Sequence, residues 1–351
     1  MARLARWLGP WAAPETAPTG ITKRTIHFPS GDKQLEGWIY EDSARAPQGS
    51  VLIVPGLHFA GPADPRFDRF SRVLAATGFL VLAPFLPDYG ALRVEPSVID
   101  DAEAALDALL ALPDRPRGKP GVFSISFGSL PALRVTARRS AEIQRLVVFG
   151  GFARFRSTLS FALSGDGVRA NDPLNAPVVV LNLLPWMEDV SKDDHALLRD
   201  AFLAYCRASW GREESKIPAI HRAIAERVAE TLPAHLRELF LVSARARPGV
   251  DALAEAALAR SGDFFSWVDP APHVGAIKCP VTLVHGRDDD VIPFQESQAL
   301  AEALAGTDAE LVLTGLYGHT AGAGFGSQLG DNAREVAGMM KILSAMARLS
   351  G

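Results

Sequence analysis

The stretch Val122-Phe123-Ser124-Ile125-Ser126-Phe127-Gly128-Ser129 passes from an apolar run through small residues into a second apolar run. That is the pattern of a strand turning tightly into a helix. A serine held on such a turn projects from the backbone and can act as a nucleophile, which makes Ser126 the candidate. The same residues also fit a plain packed strand–helix junction. A serine hydroxyl attacks poorly near neutral pH unless a base takes its proton. One histidine follows the last strand pattern: His319, in Gly315-Leu316-Tyr317-Gly318-His319-Thr320. Its flanking glycines leave an imidazole free to face a site, although a lone histidine in such a loop also serves as a structural or solvated group. Carboxylates that could orient the ring come three in a row, Asp288, Asp289 and Asp290. Adjacent positions do not make the spaced oxygen cage of a calcium loop, so metal binding is not expected. A surface turn remains the other reading of this trio.

These residues need elements to hold them. Apolar, β-branched segments predict strands at 24–28, 35–40, 51–54, 80–84, 121–125, 145–149, 281–285 and 310–314. Helical patterns alternate with them. Asp64-Pro65 reads as an N-cap and first-turn proline opening a helix with Phe67, Phe70 and Leu74 on one face. Ser97 is expected to cap a helix carrying Ile99, Leu106, Leu109 and Leu110. Residues 128–137 form the helix after Ser126. Asp331 precedes a last helix with Val336, Met340 and Leu343 turned inward. Alternating strands and helices predict a mostly parallel central sheet of about eight strands with helices on both faces. The first two strands, joined through Ser30-Gly31-Asp32, are expected to form an antiparallel hairpin at one edge.

The alternation stops between residues 151 and 276, where helical patterns run at 194–210, 217–232, 234–245 and 250–260. A stretch that long between two sheet strands is not a loop. It predicts an inserted helical cap over one end of the sheet, the alternative being an independent helical domain. The expected division is a leader at 1–20, a core at 21–150 and 277–351, and the cap at 151–276. Phe155, Phe161, Leu163, Leu181, Leu183, Leu184, Trp186, Phe264, Phe265 and Trp267 are candidates for an apolar substrate pocket, and the majority are expected simply to fill the cap's own core.

Open parallel sheets carry their sites at the C-terminal ends of the strands. At those ends the sequence resembles the α/β-hydrolase fold superfamily, over residues 24–150 and 278–349. His285-Gly286-Arg287-Asp288-Asp289-Asp290-Val291-Ile292-Pro293 is similar to the acid loop of that family, which implies Asp289 as the acid and Asp290 as the fallback. Pro55-Gly56-Leu57-His58-Phe59-Ala60-Gly61 is similar to its oxyanion loop, with Pro55 where a histidine is usual. Ser124-Ile125-Ser126-Phe127-Gly128 departs from Gly-x-Ser-x-Gly at its first position. The resemblance implies a Ser126, Asp289, His319 triad, in the chain order of that fold. It implies the backbone N–H groups of Leu57 and Phe127 as donors to the oxyanion. It also implies a cofactor-independent serine hydrolase acting on a carboxylic ester. The same machinery serves thioesters, peptides and carbon–carbon bonds. Ser124 and Pro55 are the features that would suit a non-catalytic binding or scaffold protein with a degenerate site.

Composition bounds the alternatives. The 351 residues, 48% hydrophobic and 22% charged, suffice for a large core. A net charge of −4 gives no footprint for nucleic acid, and the basic cluster Arg134, Arg138 and Arg139 suits a solvated helix end. Cys206 and Cys279 are expected to be buried small hydrophobes, compatible with a cytoplasmic protein. Leu4, Trp7, Leu8 and Trp11 fall on one helical stripe, expected to pack on the protein's own body, with membrane contact as the alternative. The expected partner is a small-molecule substrate with an apolar acyl or aromatic part. Gly322-Ala323-Gly324-Phe325-Gly326 is read as a loop beside His319, and Asp88-Tyr89-Gly90 as a turn.

Overall fold

The strands form where the apolar runs are densest. The computed structural model describes residues 1–8, 15–167, 171–188, 190–315 and 329–349, the stretch 329–334 through its backbone alone. The strands are β1 (Ile21–Ser30), β2 (Lys33–Asp42), β3 (Gly49–Val54), β4 (Phe79–Pro84), β5 (Gly121–Ile125), β6 (Arg145–Phe149), β7 (Val281–Gly286) and β8 (Ala309–Thr314). They make one sheet in the order β1-β2-β4-β3-β5-β6-β7-β8. β1 and β2 pair antiparallel through a two-residue turn, Ser30 facing Lys33, with Gly31 at φ 55° as that turn requires. β2 meets β4 antiparallel, and every pairing from β4 to β8 is parallel.

The helices are α1 (Ala2–Leu8), α2 (Pro65–Ala76), α3 (Pro87–Gly90), α4 (Ser97–Ala111), α5 (Ser129–Arg139), α6 (Phe155–Ser164), α7 (Ala176–Leu183), α8 (Lys192–Ser209), α9 (Pro218–Ala229), α10 (Ala234–Ser243), α11 (Val250–Ser261), α12 (Gln295–Ala303) and α13 (Leu329–Ala347). Because strand side chains alternate, the sheet feeds two cores. Val122 joins Leu106 and Leu109 of α4 and Leu130 and Leu133 of α5 on one face. Phe123 joins Phe67 and Leu74 of α2 and Ile342 and Leu343 of α13 on the other. Both faces of the parallel strands are thus covered, which is why they read as unbroken apolar runs.

Several local expectations meet their physical test here. Asp64 does cap α2, its carboxylate accepting from the Arg66 N–H at 2.8 Å, with Pro65 in the first turn. Ser97 does not cap α4. It is the first helical residue, and its hydroxyl donates instead to Asp88 at 2.6 Å. The inward stripe of α13 is also rotated from the expected one. Met339, Ile342, Leu343 and Met346 are buried, while Val336 and Met340 are about half exposed. α1 packs against α2 and α13 with Leu4 buried, and the Trp7 carbonyl accepts from Arg69 at 2.8 Å. Trp11 lies outside the described residues. Cys206 and Cys279 are buried free thiols. Among the described residues no helix is long and apolar enough to cross a membrane.

Between β6 and β7 the chain builds α6 to α11. Its entry is fixed by a buried carboxylate in the first turn of α12. Glu296 accepts from the Ala153 and Arg154 N–H groups at 3.0 and 2.8 Å and from the Ser157 hydroxyl at 2.6 Å. A buried carboxylate held by three hydrogen bonds of this kind fixes a geometry, because leaving any of those groups unpaired is costly.

Candidate active site

The chain runs from β3 through α2 to β4 on one side, then crosses back through α4 to β5 on the other side of β3. The sheet therefore changes winding direction between β3 and β5, and a crevice opens there beyond the strand ends. The loop beginning at Pro55 leaves β3 at this point, and Ser126 leaves β5.

Ser126 has φ 54°, a left-handed conformation that costs a side-chain-bearing residue on the order of 1–2 kcal/mol. It follows extended Ile125 and is the first residue of the 3₁₀ turn Ser126–Gly128, which leads directly into α5. The strain is held by close packing of strand, turn and neighbouring loop. A Cβ at Gly128 would stand 2.5 Å from the Pro55 carbonyl oxygen and 2.7 Å from that of Val54. A Cβ at Gly56 would stand 3.1 Å from the Ile125 carbonyl oxygen and 3.3 Å from the Ser126 Cβ. Loop and turn are thus in backbone contact. Ser124, opposite Val54 in the β3–β5 register, is fully buried, and its hydroxyl has no hydrogen-bond partner among the described residues. The smallest hydroxyl side chain fits where glycine is usual, at the cost of an unpaired group.

Gly128→Ala is expected to cost about 1–3 kcal/mol, because the blocking atoms are backbone oxygens rather than a side chain that can swing away. The variant should melt below wild type. An alanine variant with unchanged melting temperature would mean that the β3 loop yields freely.

Asp88-Tyr89-Gly90 reads in the sequence as a turn that could border the pocket. Tyr89 is buried in α3, and its hydroxyl donates to the Phe127 carbonyl at 2.8 Å. This bond pins the peptide that follows the turn, so Tyr89 is a support for Ser126 that the sequence reading missed. Its one signal was the placement of Asp88-Tyr89-Gly90 at the end of β4. The Phe127 ring packs on Phe152 and Phe155, with centroids 4.9 and 6.3 Å apart. The Leu57 N–H makes no hydrogen bond among the described residues.

The three aspartates after β7 separate clearly. Asp288 is exposed. Asp289 is buried, and its Oδ1 accepts from the Val291 and Ile292 N–H groups at 2.9 and 2.8 Å. Its Oδ2 lies 3.3 Å from Nε2 of His285. His285 is itself buried, with Nδ1 2.6 Å from the Ser297 hydroxyl and Nε2 2.9 Å from the Ile292 carbonyl oxygen. The carbonyl can only accept, which places a ring proton on Nε2. His285 therefore braces the Asp289 turn from below, a role the sequence reading did not assign. Asp290 faces the helical insertion, where its Oδ2 meets Lys216 Nζ at 2.5 Å. His319 and the glycine-rich stretch 322–326 lie outside the described residues.

Ser126, Leu57 and Phe127 line one cavity of about 490 Å³. Val291 of the loop after β7 lines it too, and the insertion contributes Phe155, Leu159, Val178 and Val179. Of the ten apolar residues proposed for a pocket, Phe155 alone reaches it. Phe161, Leu163, Leu181, Leu183 and Leu184 are buried elsewhere in the insertion, the four leucines in one cluster continuous with the core on that face of the sheet, and Phe264 is about half exposed. His58 also lines the cavity. Its Nδ1 accepts from the Ala60 N–H at 3.1 Å and its Nε2 stands 3.5 Å from Asp64. Burial holds its pKa below the usual histidine value against the pull of Asp64, so the ring is neutral at pH 7. Nδ1 is taken by the loop's own backbone, which makes His58 a fixture of the loop rather than a base.

No protein-family model matches the sequence, and no curated protein matches it. Among solved structures the chain is similar to an esterase from Pyrococcus furiosus, at 16% identity and a TM-score of 0.50, over 94% of this chain and 92% of that one. It is also similar to the Pyrococcus horikoshii acylaminoacyl peptidase, at 13% identity and a TM-score of 0.51, over 94% of this chain. The chain spans about two fifths of that peptidase, 42% of its length.

Proposed function

The chain has the α/β-hydrolase fold, and on that premise we propose that it is a serine hydrolase of carboxylic esters. One observation carries the reading: Ser126 holds a left-handed backbone conformation at the tip of β5, packed against the β3 loop and opening into an apolar cavity. Strain of this kind persists only where the surroundings impose it, and it gathers at functional sites.

In the proposed reaction Ser126 Oγ attacks the ester carbonyl while His319 takes its proton. The carbonyl oxygen becomes an oxyanion held by the Leu57 and Phe127 N–H groups. Collapse expels the alcohol, protonated by His319, and leaves an acyl-serine. His319 then draws a proton from water, whose oxygen attacks the acyl carbon and releases the acid and the serine. Asp289 holds the imidazole in the required tautomer and stabilises its cationic form. His319 enters this scheme by its place in the chain after β8. The helical insertion acts as the cap, supplying one wall of the substrate cavity.

The apolar wall supports an acyl group of some length. Each methylene that leaves water for such a wall contributes about 0.8 kcal/mol, close to fourfold in kcat/KM. With p-nitrophenyl acetate, butyrate, octanoate and dodecanoate, kcat/KM is expected to rise from acetate to octanoate. A fluorophosphonate probe should label wild type at Ser126. Absence of both hydrolysis and labelling would sink the enzyme reading in favour of a binding protein. Faster turnover of the matching thioesters would move the bond class while leaving the site in place.

A further inference from the structure

One short stretch of the insertion touches both loops that the proposed chemistry depends on. Residues 210–216 join α8 to the turn before α9. Trp210 ends α8, and its indole N–H donates to the Leu174 carbonyl at 3.1 Å, fixing the ring within the insertion. That ring leans on the β3 loop, with centroids 5.5 Å from His58 and 6.2 Å from Phe59. His58 and Phe59 stack on each other at 4.4 Å and directly follow Leu57.

Six residues on, Lys216 reaches the other loop. Its Nζ lies 2.5 Å from Asp290 Oδ2 and 3.5 Å from the buried carboxylate of Asp172. The Asp172 N–H donates to the Asp290 carbonyl at 2.8 Å, doubling the tie. Burial raises the Asp172 carboxyl above its usual range while Lys216 opposes that rise, so the pair is partly desolvated. Asp290 adjoins Asp289, the proposed acid. A wall that only excluded water would need neither a ring seated on one loop nor an ion pair fixed to the other.

We propose that residues 210–216 are a brace between the oxyanion loop and the acid loop, with Trp210 and Lys216 as positioning residues for the reaction. The inference rests on the serine-hydrolase reading. The brace sets the separation of the Leu57 N–H and the Asp289 carboxylate across Ser126, and an error of about 1 Å in such a separation can cost on the order of 100-fold in rate. A partly buried ion pair suits this task, because it supplies directional geometry more than net stability.

The test uses the full chain and reads kcat and KM on p-nitrophenyl butyrate beside the rate of fluorophosphonate labelling. Lys216→Met is expected to lower kcat and labelling by about 10- to 100-fold with KM little changed. Lys216→Arg, which keeps the charge, should recover most of the loss. Asp290→Asn should match Lys216→Met, and the double variant should be no worse than either single one. Trp210→Ala should lower kcat similarly and Trp210→Phe much less. Asp290→Asn leaves Lys216 its Asp172 partner, so it carries the test if Lys216→Met fails to fold. A change confined to KM would make Lys216 a substrate contact and overturn the brace. So would strictly additive losses in the double variant, or wild-type kcat in Lys216→Met and Trp210→Ala. Wild type that neither labels nor hydrolyses would overturn the hydrolase reading itself, and the brace with it.

Discussion

Ser126→Ala is expected to lower kcat by about six orders of magnitude and to abolish fluorophosphonate labelling, while the protein stays folded. Loss of the nucleophile in a triad enzyme typically removes on the order of 10⁶ in kcat, leaving only what binding and the oxyanion donors supply. The fold should survive because Ser126 is a small side chain facing the cavity, not a core-filling one. Its backbone gives a second, independent expectation. At φ 54° any residue with a Cβ is strained, and alanine keeps that strain. Glycine releases it, offset by the larger entropy of the unfolded glycine chain. Ser126→Gly should therefore be more stable than Ser126→Ala by roughly 1 kcal/mol, the reverse of their ordinary order in regular structure. Melting curves of the two inactive variants would read it. An alanine variant with kcat within tenfold of wild type would remove Ser126 from the reaction. A glycine variant that melts below alanine would show that the turn is not where strain is stored.

Much of the architecture is legible in the sequence because its signals are local. A strand covered on both faces must be apolar throughout, so Val51–Val54 or Val281–His285 could be read directly, as could the hairpin turn at Gly31. A helix face is harder. On α13, Val336, Met340 and Leu343 make as good a stripe as Met339, Ile342, Leu343 and Met346, and only docking on the sheet shows the second to be inward. Ser97 looked like a cap because capping is a local rule, yet it stands one residue inside the helix, where its hydroxyl donates to Asp88 of the preceding helix. The site shows the same divide. The turn at Ser126 was visible from its small residues. The support from Tyr89, the seat that His285 gives Asp289 and the reach of Lys216 to Asp290 are contacts across many residues, carried by side chains with no periodicity to announce them. The resemblance at the strand ends singles out Asp289 among three adjacent aspartates, with Asp290 as the fallback, and the structure gives the three different surroundings: one carboxylate faces water, one is turned into the core, and one meets a lysine.

That separation makes the acid testable by rank. Asp289→Asn is expected to lower kcat by about 10³- to 10⁴-fold, because an amide cannot stabilise the imidazolium and favours the wrong tautomer of the base. The turn should keep its backbone bonds, at a modest cost in stability where the amide nitrogen meets the His285 Nε2–H. The amide oxygen of asparagine can occupy the place of Oδ1 and keep both the Val291 and Ile292 N–H bonds. Asp290→Asn removes a charge that meets Lys216, and acts on the reaction only through the position of the loop, so its loss should stop at about 100-fold. Asp288→Asn alters an exposed carboxylate, whose surface interactions count for little, and should leave kcat within about twofold. The expected order of damage is therefore 289, then 290, then 288. Reversal of the first two would make Asp290 the acid and Lys216 its neutralising partner. An equal loss at both would point to a loop whose charge is shared, since two carboxylates on neighbouring residues can substitute for one another only if the loop is free to turn. The two backbone bonds to Asp289 Oδ1 oppose that freedom, and the ion pair of Asp290 opposes it again from the other side.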